Sequence, residues 1–213
     1  MVKQVESKNK RSRDEIMADI MQAAIVEFSE NGFPATSTQA IAERAGLSKA
    51  QLHYYIVGKD QLYEEVLKQV IEDWIKVFSL SDVDLGPRAV LTDYIRKKLL
   101  FSFEQPLLSR IYAREVMQGA TVLTPLLTRS RQRNTQAVAC IEKWMGDGLM
   151  RRLDPLLLMM HIWSVTQHFA DFDAQVRYMM RLKDGEQLDR EHVITELTEF
   201  ILIGCGIPPL AAD

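Results

Sequence analysis

Thr36 to Tyr55, TSTQAIAERAGLSKAQLHYY, holds two helix-start signals separated by one tight turn. Thr36 with Gln39, and Ser48 with Gln51, both fit the S/T-x-x-E/Q capping box. In that box a hydroxyl and a side-chain amide satisfy backbone donors that a helix start leaves orphaned. Between them, Ala45-Gly46-Leu47 supplies a glycine, which lets the chain reverse without a Cβ penalty. Ile41, Ala42, Ala45, Leu47 and Leu52 form the apolar inner face, leaving Lys49, Gln51, His53 and Tyr54 outside. Short polar and aromatic side chains on an exposed helix after a tight turn suit a major groove. The stretch is expected to be a helix-turn-helix whose second helix is presented rather than buried.

The chain around it has 213 residues, enough for one large domain or two unequal ones. With 47% hydrophobic and 26% charged residues it has the composition of a soluble globular protein. Its net charge of −3 means that any nucleic-acid contact must use a local patch. Lys3, Lys8, Lys10, Arg11 and Arg13, against Glu6 alone, are such a patch. They form either a solvated tail or an arm that touches phosphates or the minor groove. Cys140 and Cys205 sit singly in apolar helical patterns without metal-ligand spacing, as expected of buried thiols in a reducing cytoplasm. The apolar run Leu156 to Trp163, interrupted by His161, is too short to span a bilayer. The charged N-terminus lacks a signal-peptide core. A cytoplasmic, non-membrane protein is expected.

Elsewhere helical spacing dominates, and no segment sustains a two-residue alternation. Ile16, Ile20, Ala24 and Phe28 define a first helix that stops at Asn31-Gly32. A long helix from Lys59 carries Leu62, Val66, Val70, Trp74 and Phe78 on one side. Further helices follow over 88–103, 107–118, 123–145 and from Asp154-Pro155, with a last one through Ile194 and Ile201. The class is all-α, with about nine helices. The expected division is a basic arm and helix-turn-helix domain over 1–58, then a helical ligand-binding and dimerisation domain over 59–213.

Residues 23–63, AAIVEFSENGFPATSTQAIAERAGLSKAQLHYYIVGKDQLY, resemble the N-terminal domain of the TetR family of one-component regulators. Phe28, Gly32-Phe33, Thr36, Ile41-Ala42, Ala45-Gly46, Ser48, Leu52, Tyr55, Lys59 and Leu62-Tyr63 carry the resemblance. It implies a three-helix DNA-binding domain, a fourth helix leading into a helical ligand-binding body, and a homodimer formed by the last two long helices. WSVTQHFADF, Trp163 to Phe172, is similar to the corresponding helix of the pyrimidine-utilisation branch, which senses uracil and thymine; Tyr94-Ile95-Arg96 and the Trp74 region also fit. One departure is Ile56-Val57-Gly58-Lys59, where most members have Phe-Pro-Ser/Asn-Lys. Gly58 replaces a hydroxyl cap, a change worth a few tenths of a kcal/mol. The missing proline loosens the turn and the seating of Lys59.

The DNA candidates are therefore Thr36, Ser37, Ser48, Lys49, Gln51, His53, Tyr54, Tyr55 and Lys59. Gln51 can pair with adenine, Lys49 with guanine or a phosphate, and Tyr55 and Lys59 with the backbone. Thr36 and Ser37 offer helix-start N–H groups to a phosphate, or Thr36 is a cap alone. The ligand candidates are Trp74, Phe78, Trp163 and Gln167: rings to sandwich a flat heterocycle and an amide to bond its edge. The alternative for the rings is plain core packing, whereas an amide on an apolar helix face needs a partner. His168 and Asp171 are candidates for a hydrogen-bonded pair at a dimer seam. No catalytic constellation, cofactor motif or metal-ligand set is found. The expected function is a ligand-responsive DNA-binding regulator, most often a repressor in this family. The alternative is a helical small-molecule-binding protein without DNA binding, which would lack a regulator's salt-dependent affinity for duplex DNA.

Overall fold

The computed structural model describes residues 11–77 and 83–209. Among them are eleven α-helices, no strands and one 3-10 turn at Val83–Leu85. The expected basic arm at Lys3, Lys8 and Lys10 lies outside the described residues. The helices are α1 (Arg13–Ala35), α2 (Thr38–Arg44), α3 (Lys49–Tyr55), α4 (Lys59–Val77), α5 (Gly86–Glu104) and α6 (Pro106–Met117). They continue with α7 (Leu123–Leu126), α8 (Thr128–Gly146), α9 (Pro155–Asp171), α10 (Asp173–Met179) and α11 (Arg190–Gly204).

The count exceeds the expected nine at two places. The single helix expected over 123–145 is two, because Leu127, at φ −76° and ψ −5°, closes α7 and starts α8. The helix through Phe172 stops there instead, with Phe172 at φ −118° and ψ 31° donating its N–H to His168 O. A separate helix of about two turns, α10, begins at Asp173, whose charge favours a helix start.

The chain divides into two compact units, residues 1–66 and 67–213, with the division falling inside α4. In the first unit α1 opens with a capping box between Ser12 and Glu15. It breaks at Gly32, whose φ of 75° is a left-handed conformation that suits glycine. Ile20, Ala24, Phe28, Ile41, Leu52, Leu62 and Tyr63 form the core. Within it Phe28, Phe33 and Tyr63 make a ring cluster with centroids 4.7–6.1 Å apart. Glu27, nearly buried, accepts from Arg44 Nε at 2.7 Å and Asn31 Nδ2 at 3.0 Å, tying α1 to α2. In the second unit α5 is the central helix, packed on α9 and α11. Its Leu91, Tyr94, Ile95 and Leu99 join Ile141 and Trp144 of α8, Ile162 of α9, and Ile194 and Leu202 of α11. Cys140 and Cys205 are unpaired thiols in this core, and burial pushes both up. No helix among the described residues is long and apolar enough to cross a membrane.

Candidate functional site

The first candidate surface is the outer side of α3. Ser48 caps it: its hydroxyl accepts from Gln51 N at 3.2 Å, and Gln51 Oε1 accepts from Ser48 N at 2.8 Å. Gly46, at φ 69°, makes the turn before it, and Leu52 pins it to the core. Lys49, Gln51, His53 and Tyr54 are all exposed, Tyr54 by 75%. Tyr55 is half-buried, with its ring edge-on to Tyr54 at 5.1 Å. The helix thus presents one cation, one imidazole, one phenol and an amide whose oxygen is already engaged.

Two residues proposed for this surface sit differently from expectation. Thr36 is 3% exposed, and its hydroxyl donates to Glu27 O at 3.0 Å and Gly32 O at 2.8 Å, closing the end of α1. The cap of α2 is instead Ser37, whose hydroxyl accepts from Ala40 N at 3.1 Å, so the Thr36–Gln39 box does not form. Lys59 Nζ donates to Phe33 O at 2.8 Å and Thr36 O at 2.9 Å and lies 4.4 Å over the Phe33 ring. Two of its three donors are therefore committed inside the domain. Val57, standing where most members have proline, is 86% exposed.

The second candidate is a cavity of about 250 Å³ wholly within the second unit. Trp74 of α4 and Trp163 and Gln167 of α9 all line it. Met159, Trp163 and Gln167 fall four apart and make one stripe of α9 toward the space. Trp163 Nε1 donates to Tyr94 Oη at 2.7 Å, which fixes both rings, and burial raises the Tyr94 hydroxyl despite that bond. Trp74 packs against Tyr112 at 4.3 Å and Phe101 at 6.1 Å, and its Nε1 is buried without a hydrogen-bond partner among the described residues. Phe78 lies outside the described residues. His168 and Asp171 do not pair as expected: Asp171 Oδ1 accepts from Ser109 Oγ at 2.8 Å, and His168 stacks on Phe172 at 5.1 Å. Burial raises the Asp171 carboxyl against that bond and the nearby Arg110, Lys98 and His168 charges.

Sequence reasoning missed Lys98. It is 4% exposed, lines the cavity, and holds its ammonium 3.9 Å from the centre of the Trp74 ring. One face of Trp74 is thus covered by a cation rather than open to a ligand. The signal was present: Leu91, Ile95, Lys98 and Ser102 recur at helical spacing and all are buried, so a lysine stands in an apolar stripe.

Two family profiles match the chain. "Bacterial regulatory proteins, tetR family" matches residues 20–66, and "YcdC-like protein, C-terminal region" matches residues 67–208. The HTH-type transcriptional regulator RutR of Escherichia coli strain K12 is 38% identical over 158 residues, 74% of each chain. A tetR-family regulator from Rhodococcus RHA1 has the same fold, with a TM-score of 0.74 at 16% identity, covering 92% of this chain and 99% of that one. AibR in complex with isovaleryl coenzyme A and operator DNA superposes with a TM-score of 0.68 at 18% identity, covering 93% of this chain and all of that one, 100%.

Proposed function

The chain belongs to the TetR family of bacterial transcriptional regulators, DNA-binding proteins rather than enzymes, and on that premise we propose that it is a homodimeric repressor released by a small flat effector, a pyrimidine being the first choice. The observation that carries the effector half is the convergence of Trp74, Trp163 and Gln167, from two helices, on one cavity of about 250 Å³. That volume is just below the usual range for ligand pockets, which begins at roughly 300 Å³, and suits a single ring. Gln167 offers a donor and an acceptor to the edge of such a ring.

The DNA half rests on the exposed row Lys49, Gln51, His53 and Tyr54 on a capped α3. Ser37 and Ser48 supply helix-start N–H groups nearby, Tyr55 adds a phenol, and Lys59 keeps one donor for a phosphate. Thr36, being buried, serves this surface only through the turn it braces. Dimerisation is assigned to α9 and α11. Leu157 and Met160 of α9 and Phe200 and Ile203 of α11 are exposed apolar side chains, and the two helices frame an apolar groove of about 750 Å³. In the dimer two copies of α3 enter successive major grooves, roughly 34–36 Å apart, and the effector alters that spacing. Its leverage on DNA affinity is bounded by its preference between the two arrangements, typically 1–3 kcal/mol. Residues 1–58 supply DNA binding and residues 59–213 effector binding and dimerisation, in a protein of the cytoplasm.

A gel shift on the promoter region beside the gene tests the reading. Binding to a palindromic site that weakens steeply with salt and is released by uracil or thymine supports it. Binding to no palindromic site, with or without metabolites, overturns it; binding that no pyrimidine relieves removes only the effector.

A further inference from the structure

The polar lining of the cavity is unbalanced in one direction. Lys98 contributes an ammonium, Arg131 a guanidinium, and Asn134 and Gln167 amides, while no carboxylate lines the cavity among the described residues. Lys98 is the extreme case. It is almost fully buried, its ammonium makes no hydrogen bond or ion pair among the described residues, and its one short partner is the face of Trp74. A ring face offsets part of the desolvation of a cation but accepts none of its three hydrogen bonds in the ordinary sense. A buried cation without an acceptor is costly, and a ligand oxygen that reaches it offsets part of that cost.

Resting on the reading that this cavity holds the effector, we propose that Lys98 is its specificity-determining residue: it receives a carbonyl or anionic oxygen of the ligand and so selects acceptor-edged rings. The effector then meets an ammonium, not a bare indole, on the Trp74 side of the cavity. Cations are disfavoured in the cavity, because Lys98 and Arg131 both line it and repel them.

A dependence on pH follows. Burial lowers the Lys98 ammonium from 10.5 to about 7, with the Asp171 carboxylate of α9 opposing the shift. The other titratable or charged groups around the cavity and Asp171 are Tyr94 on α5 itself, Arg110 and Tyr112 of α6, Arg131 of α8 and His168 of α9. An oxygen that accepts from Nζ favours the protonated form, so a neutral ligand draws a proton from solvent onto Lys98 as it binds. Affinity is then level below about pH 7 and falls by roughly tenfold per unit above it, until the raised value of the complex is reached.

Calorimetric titration of uracil, which stays neutral over this range, into the full-length protein at pH 6.5, 7.5 and 8.5 tests the proposal. The wild type is expected to lose affinity between the last two points, and His168→Gln is expected to keep that slope. Lys98→Met is expected to bind at least tenfold more weakly at pH 6.5, with no slope. Wild-type affinity that does not change from pH 6.5 to 8.5 overturns the proposal, and that profile decides even if the variant fails to fold. So does a Lys98→Met protein that binds uracil as tightly as wild type. Uracil that binds no form of the protein at any pH removes the pyrimidine reading and the proposal with it; uracil that binds without pH dependence removes the proposal alone.

Discussion

At the scale of single residues, two lysines show how far a side chain's neighbours decide its use. Lys98, with its ammonium against Trp74, carries a burial cost in the empty protein. Its folded value, about 7, lies below the 10.5 of the free side chain. Between those limits the unfolded chain binds the proton more tightly, so raising the pH through that window strengthens the fold, and below it the penalty is constant. Lys98→Met should therefore stabilise the empty protein at pH 7 by on the order of 3 kcal/mol, and thermal melts should lose their rise with pH above neutrality. A variant that melts lower than wild type would contradict this. Lys59 is the opposite case, bonded to the carbonyls of Phe33 and Thr36. Lys59→Met should cost about 1–3 kcal/mol of first-unit stability, measured by denaturant unfolding, before any effect on DNA is considered. That Trp74, Trp163 and Gln167 line one cavity was signalled in the sequence chiefly by Gln167, since an amide on an apolar helix face needs a partner, whereas the indoles fitted core packing equally well. The partners of Thr36 and Lys59 were not signalled, since backbone carbonyls, 4 and 9 residues away for Thr36 and 23 and 26 for Lys59, leave no trace in side-chain spacing.

At the scale of elements, the turns matter more than the helices. Gly46 at φ 69° has only Arg11 Nη2 near a would-be Cβ, at 3.9 Å, so the cost of substituting it is conformational rather than steric. Gly46→Ala should lower stability by about 1–2 kcal/mol through the left-handed backbone alone. Gly58 is the contrasting position: its carbonyl accepts from Leu62 N at 3.2 Å at the start of α4, and nothing lies within 4 Å of a would-be Cβ. Gly58→Ser should add a hydroxyl cap and a few tenths of a kcal/mol, seen as a small rise in melting temperature. Capping boxes were legible at Ser48, where hydroxyl and amide are the nearest partners. At Thr36 the same pattern misled by one residue, because the Thr36 hydroxyl closes the helix before rather than opening the one after. The breaks at Leu127 and Phe172 were invisible for a related reason. Apolar spacing continues across Phe172, the polar run after Leu127 holds no glycine or proline to mark a stop, and at each place only the backbone angles of one residue interrupt the helix.

At the scale of the whole molecule, the face of α9 and α11 is the feature that asks for a second copy. Phe200, 72% exposed on α11, is the side chain with most to gain from cover. Phe200→Asp should leave the helical circular dichroism intact, shift sedimentation from dimer to monomer, and weaken operator binding by roughly tenfold or more as the paired half-sites lose their avidity. A variant that remains dimeric would move the interface elsewhere. The all-helical class was legible throughout, since helical period and the absence of alternation need no tertiary knowledge. The division was less so. The chemistry of the chain changes at Gly58-Lys59, where α4 starts, whereas packing divides at residues 66 and 67, because the first turns of α4 bury Leu62, Tyr63 and Val66 in the first core.

Gln51 has one further consequence, for the regulon rather than the protein. Its Oε1 is already accepting from Ser48 N, so an adenine that engages both ends of the amide exchanges one bond for another. Discrimination from such an exchange falls below the roughly 1–3 kcal/mol of an uncommitted bidentate reader. On the proposed reading of α3 as the base-contacting helix, an operator base opposite Gln51 can then vary at little cost. Promoters carrying different bases there would form a graded series, silenced to different depths at one concentration of regulator and released in sequence as effector accumulates.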